Sequence, residues 1–344
     1  MRASVLHGVG DLRMEDRPEP SPGPSEVLVR VESVGVCGSD VHYYERGRVG
    51  SHVVERPLVL GHEAAGVVAS TGPGVTRVSA GDRVSIEPGV PDLTCSECLA
   101  GRYNLCPAMR FYATPPIDGA FAELVLTHES FAHRVPDSMD LDSAALLEPV
   151  SVAVWAARKS AITAGDRVLV TGAGPIGLIA LQVARAFGAS EVTVTDVNPH
   201  RLHVASRLGA TRTIDTGDAG DAADSAGTGP TPQDPTVLLE CSGHPAAVGF
   251  GLRALAPAGR AVLVGMGADD ASLPVSRIQE RELTVTGTFR YANTWPTAIA
   301  LVASGQVDLA PLVTGHFGLT QAEEALTASG ADPHALKSIV RPNA

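Results

Sequence analysis

Residues 167–208 alternate in a manner that few folds accommodate. Arg167-Val168-Leu169-Val170-Thr171 reads as a buried strand, and Gly172-Ala173-Gly174-Pro175-Ile176-Gly177 follows it without a break. An apolar-periodic stretch over 175–187 then reads as a helix. A strand that turns on glycines straight into a helix begins a βαβ unit that binds a dinucleotide. Gly172 permits the tight turn, Gly174 lets the backbone approach a pyrophosphate, and Gly177 lets the helix pack closely on the strand. The first N–H groups of the helix, with their partial positive charge, then face the phosphates. Residues 191–195 form the next strand, and Asp196 ends it about 20 residues beyond the glycines, where a carboxylate hydrogen-bonds the ribose 2′-hydroxyl of NAD. The same charge repels the 2′-phosphate of NADP, although Arg201 stands nearby.

The alternation continues with a helix over 199–208, strands over 236–240 and 260–265, a last strand over 283–288 and a helix over 295–303. Such an order implies a parallel sheet with helices on both faces. Residues 215–234 are too polar to bury a face and read as a mobile surface loop. The first half differs: residues 26–32 alternate with period two, residues 81–86 lead from a turn into a strand, and Gly/Pro clusters punctuate them. At 344 residues the chain has room for two domains. A net charge of −12 disfavours nucleic acid and anionic membrane as partners. No apolar run approaches the ~20 residues that span a bilayer, and the N-terminus lacks a signal-like core, so a cytoplasmic location is expected. There the five cysteines stay reduced and read as ligands or core residues.

Cys37, His62, Glu63 and Glu148 make a scattered donor set of thiolate, imidazole and carboxylate, which suits zinc better than magnesium or calcium. Singly each reads as an ordinary core or hydrogen-bonding residue. With their flanks they are more specific: Cys37-Gly38-Ser39-Asp40-Val41-His42-Tyr43, Gly61-His62-Glu63, Glu87-Pro88-Gly89, Gly101-Arg102-Tyr103-Asn104-Leu105-Cys106-Pro107, Ala113-Thr114-Pro115-Pro116, Glu148-Pro149-Val150-Ser151-Val152 and Phe289-Arg290-Tyr291-Ala292-Asn293-Thr294-Trp295-Pro296. Together with the glycine loop, these motifs resemble the zinc-dependent medium-chain dehydrogenase/reductase superfamily over essentially the whole chain. The branch they resemble is that of the sorbitol and other polyol dehydrogenases.

That resemblance implies an α/β plus β architecture. A GroES-like, partly open β-barrel over 1–155 is interrupted by a Rossmann domain over 156–288, and 289–344 returns to the barrel. It implies a catalytic zinc on Cys37, His62 and Glu63, with Glu148 either bonding the zinc's water or replacing it. Asp40 orients His62, while Ser39 and His42 relay the proton. Tyr43, Phe111, Thr114, Arg290 and Tyr291, with Glu148, form the substrate pocket. Gly172, Gly174, Ile176, Gly177, Asp196, Arg201, Val264, Gly265, Met266, Thr288, Phe289 and Arg290 contact the NAD. The activity implied is oxidation of a secondary hydroxyl of a polyol, such as sorbitol, L-iditol or xylitol, to the ketose, by a homo-oligomer, tetrameric in this branch. Threonine, 2,3-butanediol and simple alcohol dehydrogenases are the enzymatic alternatives. A non-enzymatic member of the superfamily is disfavoured because such members generally lack the zinc ligands.

Cys95, Cys98 and Cys106 follow the spacing of the lobe that carries a structural zinc in many members of the superfamily the chain resembles, where four cysteines are usual. Its first position, three residues before Cys95, is Asp92 rather than cysteine, a harder ligand that weakens the site. Zinc on Asp92, Cys95, Cys98 and Cys106 is expected, with a reduced, metal-free loop as the alternative. Cys241 reads as a packed core thiol.

Overall fold

The computed structural model describes residues 1–217, 234–267 and 270–344. The chain divides into two compact units, Met1–Glu148 with Leu309–Ala344, and Pro149–Asp308.

In the first unit the ten-residue strand Glu26–Gly35 organises the rest. Its valines at 27, 29 and 31 are fully buried and alternate with more exposed residues, the pattern of a strand with one face on a core. It pairs antiparallel with Glu63–Thr71, with Leu124–His128 and, at its C-terminal end, with Lys337–Arg341. Register shifts at Leu28/Val29 and Val31/Ser33 are bulges, which bend and twist a strand. Gly66 is obligatory in this pairing, since a Cβ there would lie 2.0 Å from the Arg30 carbonyl oxygen. Val5, Leu6, Leu60, Val84, Ile86 and Phe121 fill the core.

The second unit is built on a parallel sheet of six strands among the described residues. Their spatial order is Arg212–Asp215, Glu191–Asp196, Arg167–Thr171, Val237–Glu240, Arg260–Leu263, Thr284–Gly287. This is the doubly wound order of the Rossmann fold, and its direction reverses between Arg167–Thr171 and Val237–Glu240, where such sheets bind ligands. Helices Pro175–Ala186, Pro199–Arg207 and Pro245–Ala254 all carry proline in the first turn, where the missing N–H costs nothing. Asn198 caps the second of them, its Oδ1 accepting from the N–H groups of His200 at 2.9 Å and Arg201 at 3.3 Å.

Two expected boundaries move. The first unit ends at Glu148, not at 155, inside the continuous helix Leu147–Lys159. The second unit runs on to Asp308 instead of 288. Its last helix, Trp295–Ala303, is tied to it: Arg158 donates to the Asn293 carbonyl at 2.8 Å and to Thr297 Oγ1 at 2.8 Å. Gln182 exchanges bonds with the Asp308 backbone at 3.0 and 2.7 Å. The return to the first unit therefore begins only at Leu309, and it carries real elements, strands Val313–Gly318 and Lys337–Arg341 and helix Ala322–Ala331. The surface loop expected over 215–234 lies, for residues 218–233, outside the described residues, and its first residue instead ends the edge strand Arg212–Asp215. No helix among the described residues is long and apolar enough to cross a membrane.

Candidate metal centre and dinucleotide site

Glu63 begins its strand directly opposite Gly35, and Cys37 lies two residues beyond Gly35. Strand pairing thus brings the two words of sequence together. Cys37 N-caps helix Gly38–Arg46, and its N–H donates to Asp40 Oδ2 at 3.0 Å. Asp40 Oδ1 accepts from the Gly61 N–H at 2.9 Å and stands 3.7 Å from His62 Nδ1. One fully buried carboxylate therefore ties both ligand-bearing loops together. Burial opposes its charge, but the His62 imidazole and these N–H donors hold Asp40 below the usual carboxylate range. The ligand atoms of Cys37, His62 and Glu63 all lie within 4.8 Å of one another.

Glu63 is fully buried. Its Oε1 accepts from Lys337 Nζ at 2.6 Å, and Lys337 also donates to the Val36 carbonyl at 2.8 Å. Its Oε2 is buried without a hydrogen-bond partner, and a Cβ on residue 35 would lie 2.1 Å from it, so glycine makes its space. An orphaned carboxylate oxygen beside a thiolate and an imidazole fits a zinc ion. Burial lowers the Lys337 pKa, yet the charges of Glu63 and Cys37 outweigh it and keep the ammonium protonated. Burial likewise opposes a charged His62, but Cys37 and Asp40 raise its pKa well above the ordinary histidine value.

Glu148 is buried in the same unit and its charge acts on Lys337, but it lies outside the close grouping of Cys37, His62 and Glu63. Ser39, His42 and Tyr43 share helix Gly38–Arg46, with Ser39 and His42 one turn apart on one face. Partial burial, then the Arg46 charge, lowers the His42 pKa, so its ring is neutral at physiological pH and able to accept a proton. The Phe111 ring centre is 5.6 Å from that of His62, and the Thr114 N–H donates to the Phe111 carbonyl at 3.2 Å.

In the second lobe the donor atoms of Asp92, Cys95, Cys98 and Cys106 also lie within 4.8 Å of one another. Asp92 Oδ1 accepts from the N–H groups of Thr94 at 2.8 Å and Cys95 at 2.9 Å, which hold the carboxyl far below its usual range. Burial, then its neighbours Cys95 and Asp92, push the Cys98 thiol up to about 12. A metal here must displace that proton, and the compact donor set fits one. Cys241, expected as a packed core thiol, is only partly covered; burial and then the Glu240 charge raise its pKa.

In the second unit the three loop glycines differ in what surrounds them. Gly172 adopts φ +89° and a Cβ on it would lie 3.0 Å from Ser242, one on Gly174 would meet nothing within 4 Å, and one on Gly177 would lie 1.8 Å from the Gly172 carbonyl oxygen. Helix Pro175–Ala186, containing Ile176, points its N-terminus into this turn. Asp196 Oδ2 accepts from the Ala173 N–H at 2.6 Å, so the carboxylate reaches the glycine loop itself. Arg201 Nε is buried without a hydrogen-bond partner. The N–H groups of Val264 and Gly265 both donate to the Glu240 carbonyl at 2.8 Å, and Met266 beyond them is 64% exposed. Thr288 Oγ1 donates to the Arg290 carbonyl at 3.4 Å, and the Arg290 guanidinium stands 4.7 Å over the exposed Phe289 ring. Arg290 adopts φ +54°, a strained conformation for a residue with a side chain. Tyr291 is 2% exposed, its ring edge-on to Trp295.

Sequence reasoning passed over two residues. Glu240, buried at a strand end, accepts from Ser242 Oγ at 2.5 Å, the Ser242 N–H at 2.9 Å, the Gly243 N–H at 3.1 Å and Thr171 Oγ1 at 3.3 Å, fastening the loop that faces the glycine turn. Lys337 is one of two lysines in the chain and stands next to the apolar run Ile339-Val340, a position where a lysine without a partner would be costly. That was its one visible signal.

Residues 23–137 match the alcohol dehydrogenase GroES-like domain, and residues 175–304 match the zinc-binding dehydrogenase domain. The sorbitol dehydrogenase of Macaca fascicularis is 46% identical over 322 residues, 93% of this chain and 90% of the relative. That of Homo sapiens is 44% identical over 322 residues, with the same 93% and 90% coverage. Among solved structures, the L-idonate 5-dehydrogenase of Escherichia coli is similar with a TM-score of 0.90 and 30% identity, over 99% of this chain and 98% of that one. The 2R,3R-butanediol dehydrogenase of Bacillus subtilis has a TM-score of 0.90 and 32% identity, over 99% of each chain.

Proposed function

The chain belongs to the zinc-dependent medium-chain dehydrogenases, on the branch of the sorbitol dehydrogenases, and on that premise we propose that it oxidises a secondary hydroxyl of a sugar alcohol to the ketose with NAD. The observation that carries the reading is the convergence of a half-buried Cys37, a buried His62 and a buried Glu63 whose Oε2 has no hydrogen-bond partner. When bound, zinc supplies Lewis acidity toward the substrate hydroxyl and NAD supplies the hydride acceptor.

The chain's own residues do the rest. Cys37, His62 and Glu63 hold the ion, and Asp40 orients the imidazole that ligates it. Glu148, outside the grouping, serves as a hydrogen-bond partner rather than a third ligand. Ser39 Oγ and the neutral His42 ring move the proton toward solvent along one helix face. Asp196 and the glycine turn bind the cofactor and select NAD over its 2′-phosphorylated form. Val264, Gly265, Met266, Thr288 and Phe289 complete that contact. Tyr43, Phe111, Thr114, Arg290 and Tyr291 recognise the substrate, with the Arg290 guanidinium suited to vicinal hydroxyls. Asp92, Cys95, Cys98 and Cys106 hold a second, structural zinc. The molecule works as a cytoplasmic homo-oligomer, tetrameric as the branch resemblance implies, and the exposed apolar side chains of Leu273 and Val275 support an interface.

The test is a steady-state screen of sorbitol, xylitol and other sugar alcohols against 2-propanol and 2,3-butanediol, with NAD and NADP, beside metal analysis. Preference for sugar alcohols with NAD and bound zinc is expected. A preference for the simple alcohols would place the chain among general secondary-alcohol dehydrogenases.

A further inference from the structure

We infer that Lys337 is a positioning residue of the metal centre: its ammonium fixes one oxygen of Glu63 and leaves the other to the ion. This rests on the zinc reading of Cys37, His62 and Glu63.

Lys337 is 4% exposed, and its two bonds lead to Glu63 Oε1 and to the carbonyl of Val36, the residue before Cys37. It therefore holds the carboxylate of one ligand against the backbone beside another. A carboxylate can ligate through one oxygen or two. Here Oε1 is already engaged, while Oε2 packs on Gly35 with no partner of its own. The ligand is thus preset to offer a single oxygen, and the site keeps room for a substrate hydroxyl.

Charge gives the lysine a second effect, which bears on the ion's pull on a hydroxyl rather than on how tightly the ion is held. One thiolate and one carboxylate together neutralise a divalent ion, which would blunt its pull on a substrate hydroxyl. Lys337 returns one positive charge to the buried site. The lysine arrives from the far end of the chain, on a strand whose Ile339 and Val340 pair with Gly35 and Val34. No other cation is bonded to Glu63 among the described residues.

The experiment uses the full-length protein and follows the zinc equivalent that Cys37→Ser abolishes. Zinc affinity is measured by competition with a chromophoric chelator for wild type, Lys337→Met, Lys337→Gln, Glu63→Gln and the Lys337→Met/Glu63→Gln double variant. Removal of an outer partner of a metal ligand weakens binding by about 10–100-fold. That loss is expected for both lysine variants, with a changed visible spectrum of the cobalt-substituted protein. In the Glu63→Gln background the same lysine substitution should cost no more than about twofold, since Lys337 acts through Glu63. Wild-type affinity and cobalt spectrum in both lysine variants, or an equal loss in both backgrounds, overturns the assignment. So does failure of both lysine variants to fold, because a positioning role leaves a folded protein with weakened metal. A wild type that binds no such zinc instead removes the metal reading itself.

Discussion

On the proposed reading, Asp196 serves the backbone and the cofactor with the same carboxylate. Its Oδ2 takes the Ala173 N–H at 2.6 Å and its Oδ1 the Asn198 N–H at 2.8 Å, so the charge that repels a 2′-phosphate also steadies the glycine turn. Asp196→Ser should lower kcat/KM for NAD and raise the NADP/NAD ratio; equal kcat/KM for the two cofactors in the wild type would contradict this. His62 carries a second residue-scale consequence. Cys37 and Asp40 raise its pKa, so in the metal-free protein the ring holds a proton that must leave before its nitrogen ligates. Zinc affinity should therefore rise with pH, by about tenfold per unit for each proton displaced, and level off above the raised pKa. Chelator competition across a pH series checks the sign, and a flat profile would show that the ring is already neutral without metal. The ligand types at these positions were legible in the sequence. Their distances were not, because residues 37 and 63 meet only through strand pairing.

Among the elements, the strand–turn–helix at 167–186 shows how one motif divides its labour. Gly177 and Gly174 look alike in sequence, yet a Cβ on Gly177 would lie 1.8 Å from the Gly172 carbonyl oxygen and one on Gly174 meets nothing within 4 Å. Gly177→Ala should thus cost about 1–3 kcal/mol in stability, as overpacking does, and lower Tm. Gly174→Ala should leave Tm unchanged and weaken NADH binding, because its methyl stands where phosphates approach. Thermal unfolding and NADH fluorescence titration separate the two, and matching losses of Tm would refute the distinction. Elements with strong periodicity or glycine punctuation, such as residues 295–303, were readable in advance. Arg212–Asp215 was not, since a four-residue edge strand with half-exposed faces has no periodic signature.

For the whole molecule the decisive feature is that one unit is continuous in sequence and the other is not. Pro149–Asp308 contains its complete sheet and its own core around Leu169, Leu238 and Leu252. Expressed alone, residues 149–308 should fold and bind NADH. Residues 1–148 lack the strand Lys337–Arg341 that covers the edge of Glu26–Gly35, and with it Lys337. Alone they should be unstable or aggregate through that uncovered edge. Circular dichroism and NADH titration of the fragments decide the matter; a cooperative unfolding transition of 1–148 would count against it.

Sequence by itself determined the glycine turn, the strand–helix alternation of the second unit, and the donor types at positions 37, 62, 63, 95, 98 and 106. Each is encoded within a few neighbouring residues, where propensity, spacing and side-chain chemistry act directly. Tertiary structure alone decided that the donor atoms of Cys37, His62 and Glu63 come within 4.8 Å of one another, that the second unit ends at Asp308, and that Lys337 meets Glu63 across 274 positions. Those outcomes depend on which distant strands pair and in what register. No local pattern records that choice, because burial of the shared core makes it.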